Sequence, residues 1–265
     1  MGKIDNAISE IYEIDEMAEK KTKIHQIHPL VKLVITIIYI TSVVSFHKYD
    51  LFGLLPMIIY PLIVFNLAEI KVMKCFKKLR VMLPMVCFVG LFNPFFDHTA
   101  ITNIGSIVIT GGMISMLTLM IKGTYVLMAS FLLIASTGIE RICYVLKLLH
   151  VPSIIVTQIL LAYRYITLLM NEANTIFEAY SLRAPREKGV KYKIWGSLIG
   201  QLLFRSIDRA GNLYESMLLR GFNGDYYIAN SQKSTGMDYL YFFLWLLIIL
   251  TLRMYNVVGS LIAFL

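Results

Sequence analysis

His25 and His28 stand three residues apart, a spacing at which two imidazoles share a helix face and can hold a transition-metal ion. Pro29 follows at once and no Cys or carboxylate completes a coordination set, so no metal ligand is assigned. The three cysteines, Cys75, Cys87 and Cys143, form neither a CxxC pair nor a Cys/His cluster. They read as small apolar fillers, without zinc or a disulfide framework. The acids nearest the apolar stretches, Glu69, Glu140 and Glu172, fall at predicted helix ends, where they solvate the interface. An ion-driven or proton-driven carrier needs carboxylates within its spans. The nucleotide pattern GxxxxGK[ST], HExxH and GxSxG are all absent from the sequence. Two arginine-centred runs carry more information. Ser181-Leu182-Arg183-Ala184 closes one helical pattern and Leu219-Arg220-Gly221 closes another. Each places a guanidinium at a helix C-terminus, able to enter an acidic groove on a partner. Each is equally able to serve as a cap that offsets the helix dipole by about 0.3–1 kcal/mol. Spacing alone does not choose between the two.

The elements that must position these arginines are read from hydropathy. The 265 residues are 57% hydrophobic and 16% charged, too apolar for an ordinary soluble domain. Apolar stretches over 30–46 and 51–67 form a hairpin around His47-Lys48-Tyr49-Asp50. A third, 81–96, carries Pro84 and Pro94, which with Gly90 allow bending; a fourth, 113–136, contains Lys122; a last one runs from Tyr239 toward the C-terminus. The first two are just long enough to meet the roughly 17–25 residues that a bilayer core demands. Lys122 carries a penalty of about 2.5–3.5 kcal/mol at mid-helix unless it faces protein or snorkels.

From Gly138 to Gly236 charges recur, yet Leu, Ile and Tyr remain abundant. Ile142, Val145, Leu146 and Leu149 repeat at helical spacing up to Val151-Pro152, predicting an amphipathic helix. A second helix is predicted from Pro152 to about Leu182, with its far end in water. A third shows a polar stripe of Lys193, Ser197, Gln201, Arg205, Asp208, Asn212 and Ser216. Ile194, Leu198, Ile199, Leu202 and Leu203 oppose it, and Arg220-Gly221 supplies the stop.

The net charge of +8 could indicate nucleic acid, but the basic residues interleave with apolar faces, and none is assigned. Lys and Arg concentrate in 1–23, in 69–80 and in 138–236, whereas the intervening loops, including the basic-free stretch 97–110, hold only Lys48. About five spans with a cytoplasmic N-terminus satisfy the positive-inside rule. Counting 154–170 as a sixth is disfavoured by Gln158 and Arg164. No apolar leader precedes the first span. The expected fold is all-α: a polytopic membrane protein with a cytoplasmic helical coupling domain. Its parts are 1–137 (N-terminal segment and four spans), 138–237 (coupling helices) and 238–265 (last span). A self-sufficient carrier and a lipid-phosphate transferase compete with a coupling subunit, and the transferase would want an acid-rich metal cluster.

Ile14-Asp15-Glu16-Met17-Ala18, the run His25 to Lys32, Tyr163-Arg164-Tyr165, Arg205-Ser206-Ile207-Asp208-Arg209-Ala210 and the run Met217 to Gly224 together span almost the whole chain. Through them the chain resembles the transmembrane protein of energy-coupling factor transporters, the EcfT family, and within it the cobalt-type branch, CbiQ. The resemblance implies a non-catalytic subunit of the bacterial cytoplasmic membrane that binds no cofactor, ATP being held by two ATP-binding-cassette subunits of the CbiO type. It further implies a CbiM-type substrate-binding membrane protein, with a small accessory membrane subunit as a possible addition. Ser181, Leu182, Arg183 and Ala184, with Leu219, Arg220 and Gly221, would be the ATPase-coupling residues. Ala184-Pro185 stands where the family commonly has glycine. ATP-driven closure of the ATPases would then move the coupling helices and reorient the substrate-binding partner. Cobalt is the implied cargo, with nickel or a vitamin as the alternative.

Overall fold

Apolar runs this long bury their backbone in lipid only as helices, which satisfy their own N–H and C=O groups. The computed structural model describes residues 2–20, 22–80, 82–96, 100–104, 107–185, 189–224 and 235–254. In chain order the helices are α1 (Gly2–Ala18), α2 (Pro29–Val44), α3 (Leu51–Leu54), α4 (Ile59–Leu67), α5 (Val72–Leu79), α6 (Met82–Leu91) and α7 (Asn93–Phe96). After a short hairpin come α8 (Gly111–Thr137), α9 (Ile139–Leu148), α10 (Ser153–Arg183), α11 (Tyr192–Leu219) and α12 (Gly236–Met254). The fold is that of an all-α polytopic membrane protein. By length and composition α8, α10 and α12 can each cross a membrane. The run Leu51–Leu67 with α5, bent by 112°, makes a fourth candidate, and α2 and α6 are shorter apolar helices. Val81, the parts 97–99 and 105–106 of the third loop, and the last-span residues 255–265 lie outside the described residues.

Several elements differ from the sequence reading in physically traceable ways. The second apolar stretch is not one smooth helix, because the tight turn Leu55–Ile58 separates α3 from α4. Pro61 has no N–H to give the Met57 carbonyl four residues back, and the Tyr39 hydroxyl donates to that oxygen instead, at 2.9 Å. The third stretch breaks at Phe92, where Pro94 likewise cannot donate to the carbonyl of Gly90. The basic loop after Ala68 contains α5, entered through Glu69 at φ 53. The stretch read as a plain loop contains an antiparallel hairpin, Ala100–Ile104 with Ile107–Thr110, whose register slips between Ala100 and Thr102. Nearest-neighbour pairing of this kind is invisible to a hydropathy window.

The chain divides into two units, Met17–Gly138 with Gln232–Leu265, and Met1–Glu16 with Ile139–Ser231. In the first, α8 is the hub against which α2, α6 and α7 pack, and α12 lies along α2. Tyr39 stacks on Tyr60 at 4.4 Å, and Tyr60 meets the edge of Trp245 from α12 at 4.8 Å. Such pairs add about 0.5–1.5 kcal/mol beyond area burial. Lys122 does not stand unsatisfied in its span. Its ammonium donates to the carbonyls of Val44 (3.1 Å) and Phe46 (2.5 Å) at the C-terminal end of α2. Arg253 of α12 donates to the carbonyl and hydroxyl of Ser45 and stacks its guanidinium over Phe46 at 4.3 Å. Two cations thus cap the end of α2, where its dipole is negative.

Where α8 passes α6, Gly123 permits close approach: a Cβ there would sit 2.4 Å from Cγ1 of Val86. Val86 is β-branched and cannot swing away freely. Gly123→Ala is expected to lower the detergent unfolding midpoint through overpacking of about 1–3 kcal/mol. The Gly123→Ala/Val86→Ala pair should restore most of it. An unaltered midpoint in the single variant would show that the two helices do not meet this closely.

Candidate functional site

The second unit is built from three helices and the start of α1. Cys143 of α9 is buried with Val156 and Leu160 of α10, and Ile139, Leu146 and Val151 close around them. Burial, then the nearby Glu140 carboxylate, pushes the Cys143 thiol up, so it stays protonated and unreactive. Tyr163 of α10 donates to Asp15 of α1 at 2.5 Å, joining two of the motifs that carry the family resemblance. Arg164 faces Glu140 at 3.9 Å with both side chains largely exposed, a pair of little energetic weight.

α10 and α11 run antiparallel, because contacts that advance along one retreat along the other. Phe177 meets Trp195 at 5.5 Å, edge to face. Five residues earlier on α10, Glu172 accepts from Arg205 and lies 3.6 Å from Arg209. Arg205 and Arg209, four apart, form one fork on the helix surface that brackets a single carboxylate. Farther toward the start of α10, a cavity of about 660 Å³ opens between Gln158, Leu161 and Tyr165 on one side and Tyr214, Met217 and Phe222 on the other. Neither the Glu172 fork nor this cavity is legible in the sequence, since both depend on the register of two helices joined by a loop. The one advance signal was Arg205 in the polar stripe.

Antiparallel packing sends the two arginine-bearing C-termini to opposite ends. At the first, Arg183 occupies the last turn of α10. The Ala184 N–H donates to the Tyr180 carbonyl at 3.0 Å, and the Ser181 hydroxyl to the Glu178 carbonyl at 2.8 Å. Ser181 and Arg183 are exposed, Leu182 is 81% exposed, and Ala184 is half-buried. At the second, Arg220 caps α11 and Gly221 turns left-handed at φ +81. The Phe222 N–H reaches the Met217 carbonyl (3.0 Å) and the Gly221 N–H the Leu218 carbonyl (2.9 Å). That paired closure is a Schellman motif, and Met217 and Phe222 both line the cavity beneath it. Leu219 is 90% exposed, and Arg220 and Gly221 are open to solvent. The 28 residues of α11 extend for about 42 Å at 1.5 Å per residue. No residue of α11 is buried, and Ile199, Leu203, Ile207 and Leu218 are among its exposed apolar side chains.

The two histidines weighed as metal ligands lie in the other unit. His25 is buried, with Nε2 2.9 Å from the Met17 carbonyl and Nδ1 2.6 Å from the Thr22 hydroxyl. His28 Nδ1 accepts from the Leu30 N–H at 3.2 Å as the N-cap of α2. Their partners are backbone and hydroxyl groups near a helix start, and among the described residues no cluster of three or more His, Cys, Asp or Glu forms.

A family model described as cobalt transport protein, CbiQ, matches residues 20–234, a span that contains α2 through α11. Among curated proteins the chain is similar to the nickel permease LarQ of Lactiplantibacillus plantarum, 33% identical over 95 residues, covering 36% of this chain and 35% of that protein. It is also similar to an uncharacterised protein of Methanocaldococcus jannaschii, 28% identical over 185 residues and covering 63% of each. The chain therefore aligns with about a third of one relative and just under two thirds of the other. The family match takes in both arginine-bearing helix ends together with the apolar helices α2 to α8, and this chain belongs to the CbiQ family of cobalt transport proteins.

Proposed function

We propose that this chain is the coupling subunit of an energy-coupling factor importer, passing the ATP-driven motion of two ATPase partners to a substrate-binding membrane protein. One observation carries the reading. Two helix C-termini, each ending on an exposed arginine, stand at opposite ends of the antiparallel α10–α11 pair. A cap needs neither exposure nor duplication, whereas two partners closing on a nucleotide need two separated sockets. An arginine at each end offers a planar, permanently charged fork suited to a carboxylate-lined groove. Ser181, Leu182, Arg183 and Ala184 would form one contact and Leu219, Arg220 and Gly221 the other. The exposed apolar side chains of α11 suit a membrane-protein partner that takes the cargo. The basic helix α5, with Lys74, Lys77 and Lys78, supports a cytoplasmic N-terminus under the positive-inside rule. Cobalt is the cargo favoured by family membership, and nickel is the alternative favoured by the name of one relative. This chain itself would hold no ATP and carry out no bond chemistry.

Purification of the tagged chain from its own membranes in mild detergent should recover ATP-binding-cassette ATPases and a second membrane protein. Arg220→Glu should reduce ATPase recovery and ATP-dependent Co²⁺ uptake at least tenfold, the scale of about 2–5 kcal/mol for reversing one charge of a buried pair. Membrane insertion should be unchanged. Arg183→Glu should act in the same direction but more mildly, since Ala184-Pro185 departs from the glycine common at that place in the family. Normal uptake and normal ATPase recovery in the double variant would end the coupling reading.

Gly221→Ala offers a subtler measurement. A Cβ at φ +81 has open space around it, so its penalty is conformational, about 1–2 kcal/mol. Hydrogen exchange at 217–222 should accelerate while 178–184 stays unchanged, and ATPase recovery should fall only partially. Equal exchange in both proteins would mean that the left-handed turn does not hold the Arg220 end.

A further inference from the structure

The run His25 to Lys32 is unusually polar for the doorstep of a membrane span, and its first and last side chains are both buried. His25 is 2% exposed and Lys32 is 4% exposed. Burying a lysine is expensive unless its ammonium is paired or hydrogen-bonded, so the partners matter. Lys32 Nζ donates to the Ser136 carbonyl at 2.9 Å, in the last turn of α8. The Met17 carbonyl can only accept, so the 2.9 Å contact places a proton on His25 Nε2. In the neutral ring Nδ1 is then the acceptor for the Thr22 hydroxyl. Asp238, 3% exposed, accepts from the His28 N–H at 2.9 Å and from the Thr235 N–H at 2.7 Å. One carboxylate thereby caps the starts of both α2 and α12.

These anchors coincide with the places where the chain leaves the membrane-embedded unit. It leaves between Glu16 and Met17, between Gly138 and Ile139, and between Ser231 and Gln232. His25 holds the first exit at Met17. Lys32 holds the second at Ser136, two residues before Gly138. Asp238 ties the re-entry ahead of α12 to the start of α2. Gly138 itself turns left-handed at φ +76, and a Cβ on it would stand 3.3 Å from the Cβ of Ala18, so the first two exits also touch directly. All of these contacts lie inside one unit, and three of them, at His25, His28 and Lys32, fall within eight consecutive residues.

We propose that the His25–Lys32 segment is a buckle that holds the three chain exits of the membrane unit in fixed register, with Lys32 as the positioning residue that lets motion of the coupling helices reorient the spans instead of dissipating in loose joints. The proposal rests on the coupling reading above. An anchored exit transmits displacement, whereas an exit free to slide absorbs it. A cation on the C-terminal carbonyls of α8 suits this joint because the helix dipole adds to the hydrogen bond.

The test is the ratio of cation taken up to ATP hydrolysed, measured in liposomes holding the complete complex of this chain with its co-purified partners, with radiolabelled Co²⁺ and, separately, Ni²⁺. Lys32→Met keeps the stem and removes the ammonium. It should retain the ATPases and hydrolyse ATP at near the wild-type rate while uptake per ATP falls at least fivefold, and Lys32→Arg should recover part of it. Should Lys32→Met not fold, Asp238→Asn, which preserves shape and one acceptor oxygen, is judged by the same ratio and should lower it at least twofold. An unchanged ratio, or loss of the ATPases from Lys32→Met, would overturn the buckle while leaving the coupling reading intact. ATP-independent uptake by the wild-type complex would instead remove the coupling reading, and the buckle with it.

Discussion

A carbonyl left open at a helix end finds no water inside a bilayer, so another part of the protein must supply its donor. The unit Met17–Gly138 with Gln232–Leu265, which holds the candidate spans α8 and α12, is organised by that need. The end of α2 exposes the carbonyls of Val44, Ser45 and Phe46, and they receive Lys122 from α8 and Arg253 from α12. The end of α8 exposes Ser136, which receives Lys32 from α2. The carbonyl of Met57, orphaned by Pro61, receives the Tyr39 hydroxyl. Each donor comes from a helix other than the one it satisfies. Completing the backbone bonding therefore fixes α2, α8 and α12 against one another, beyond what side-chain packing among apolar residues achieves in lipid.

The unit made of α9, α10 and α11 follows the opposite rule. Its arginine-bearing helix ends are exposed, and among the described residues α11 meets α10 through the Glu172 fork, the Phe177–Trp195 contact and the walls of one cavity. Exposed ion pairs contribute about 0–1 kcal/mol each. A helix of 28 residues with none buried is therefore held lightly for its length. On the coupling reading this has a purpose, since a lever has to shift against its neighbours, and apolar side chains such as Ile207 and Leu218 become covered only when partners are present.

How much of this was readable beforehand follows from the range of each interaction. The start of α2 beside Leu30, the long α10 after Pro152 and the stop of α11 at Arg220-Gly221 rest on signals within one or two turns, and hydropathy, the proline and the arginine–glycine stop put them there. Lys122 was legible only as a penalty, because the carbonyls that relieve it lie 76 and 78 residues away. His25 and His28 looked like half a metal site because spacing cannot distinguish an imidazole aimed at an ion from one aimed at the Met17 carbonyl. The turn at Leu55–Ile58 and the hairpin after Ala100 escaped because an averaged apolar window does not register proline's missing donor or a cross-strand pairing. The exposed arginines were located by sequence, but their opposition was not, since it depends on which way α11 returns along α10.

The placement of buried ionisable groups bears on where energy can enter. In the unit Met17–Gly138 with Gln232–Leu265, Lys32 and Asp238 lie in the first turns of α2 and α12 and His25 just ahead of α2; Lys32 donates to a carbonyl, His25 contacts a carbonyl and a hydroxyl, and Asp238 accepts from two amides. A carbonyl cannot take the proton that Lys32 offers it, and an amide does not release the proton that Asp238 accepts as a hydrogen bond. These groups behave as joints, whereas a carrier relay requires groups able to exchange protons or ions along a path. Joints transmit work supplied elsewhere. On the coupling reading, the parts of the chain that would receive such work are the two exposed arginine ends, and the distance between them is set by nothing more elaborate than the length of an antiparallel helix pair.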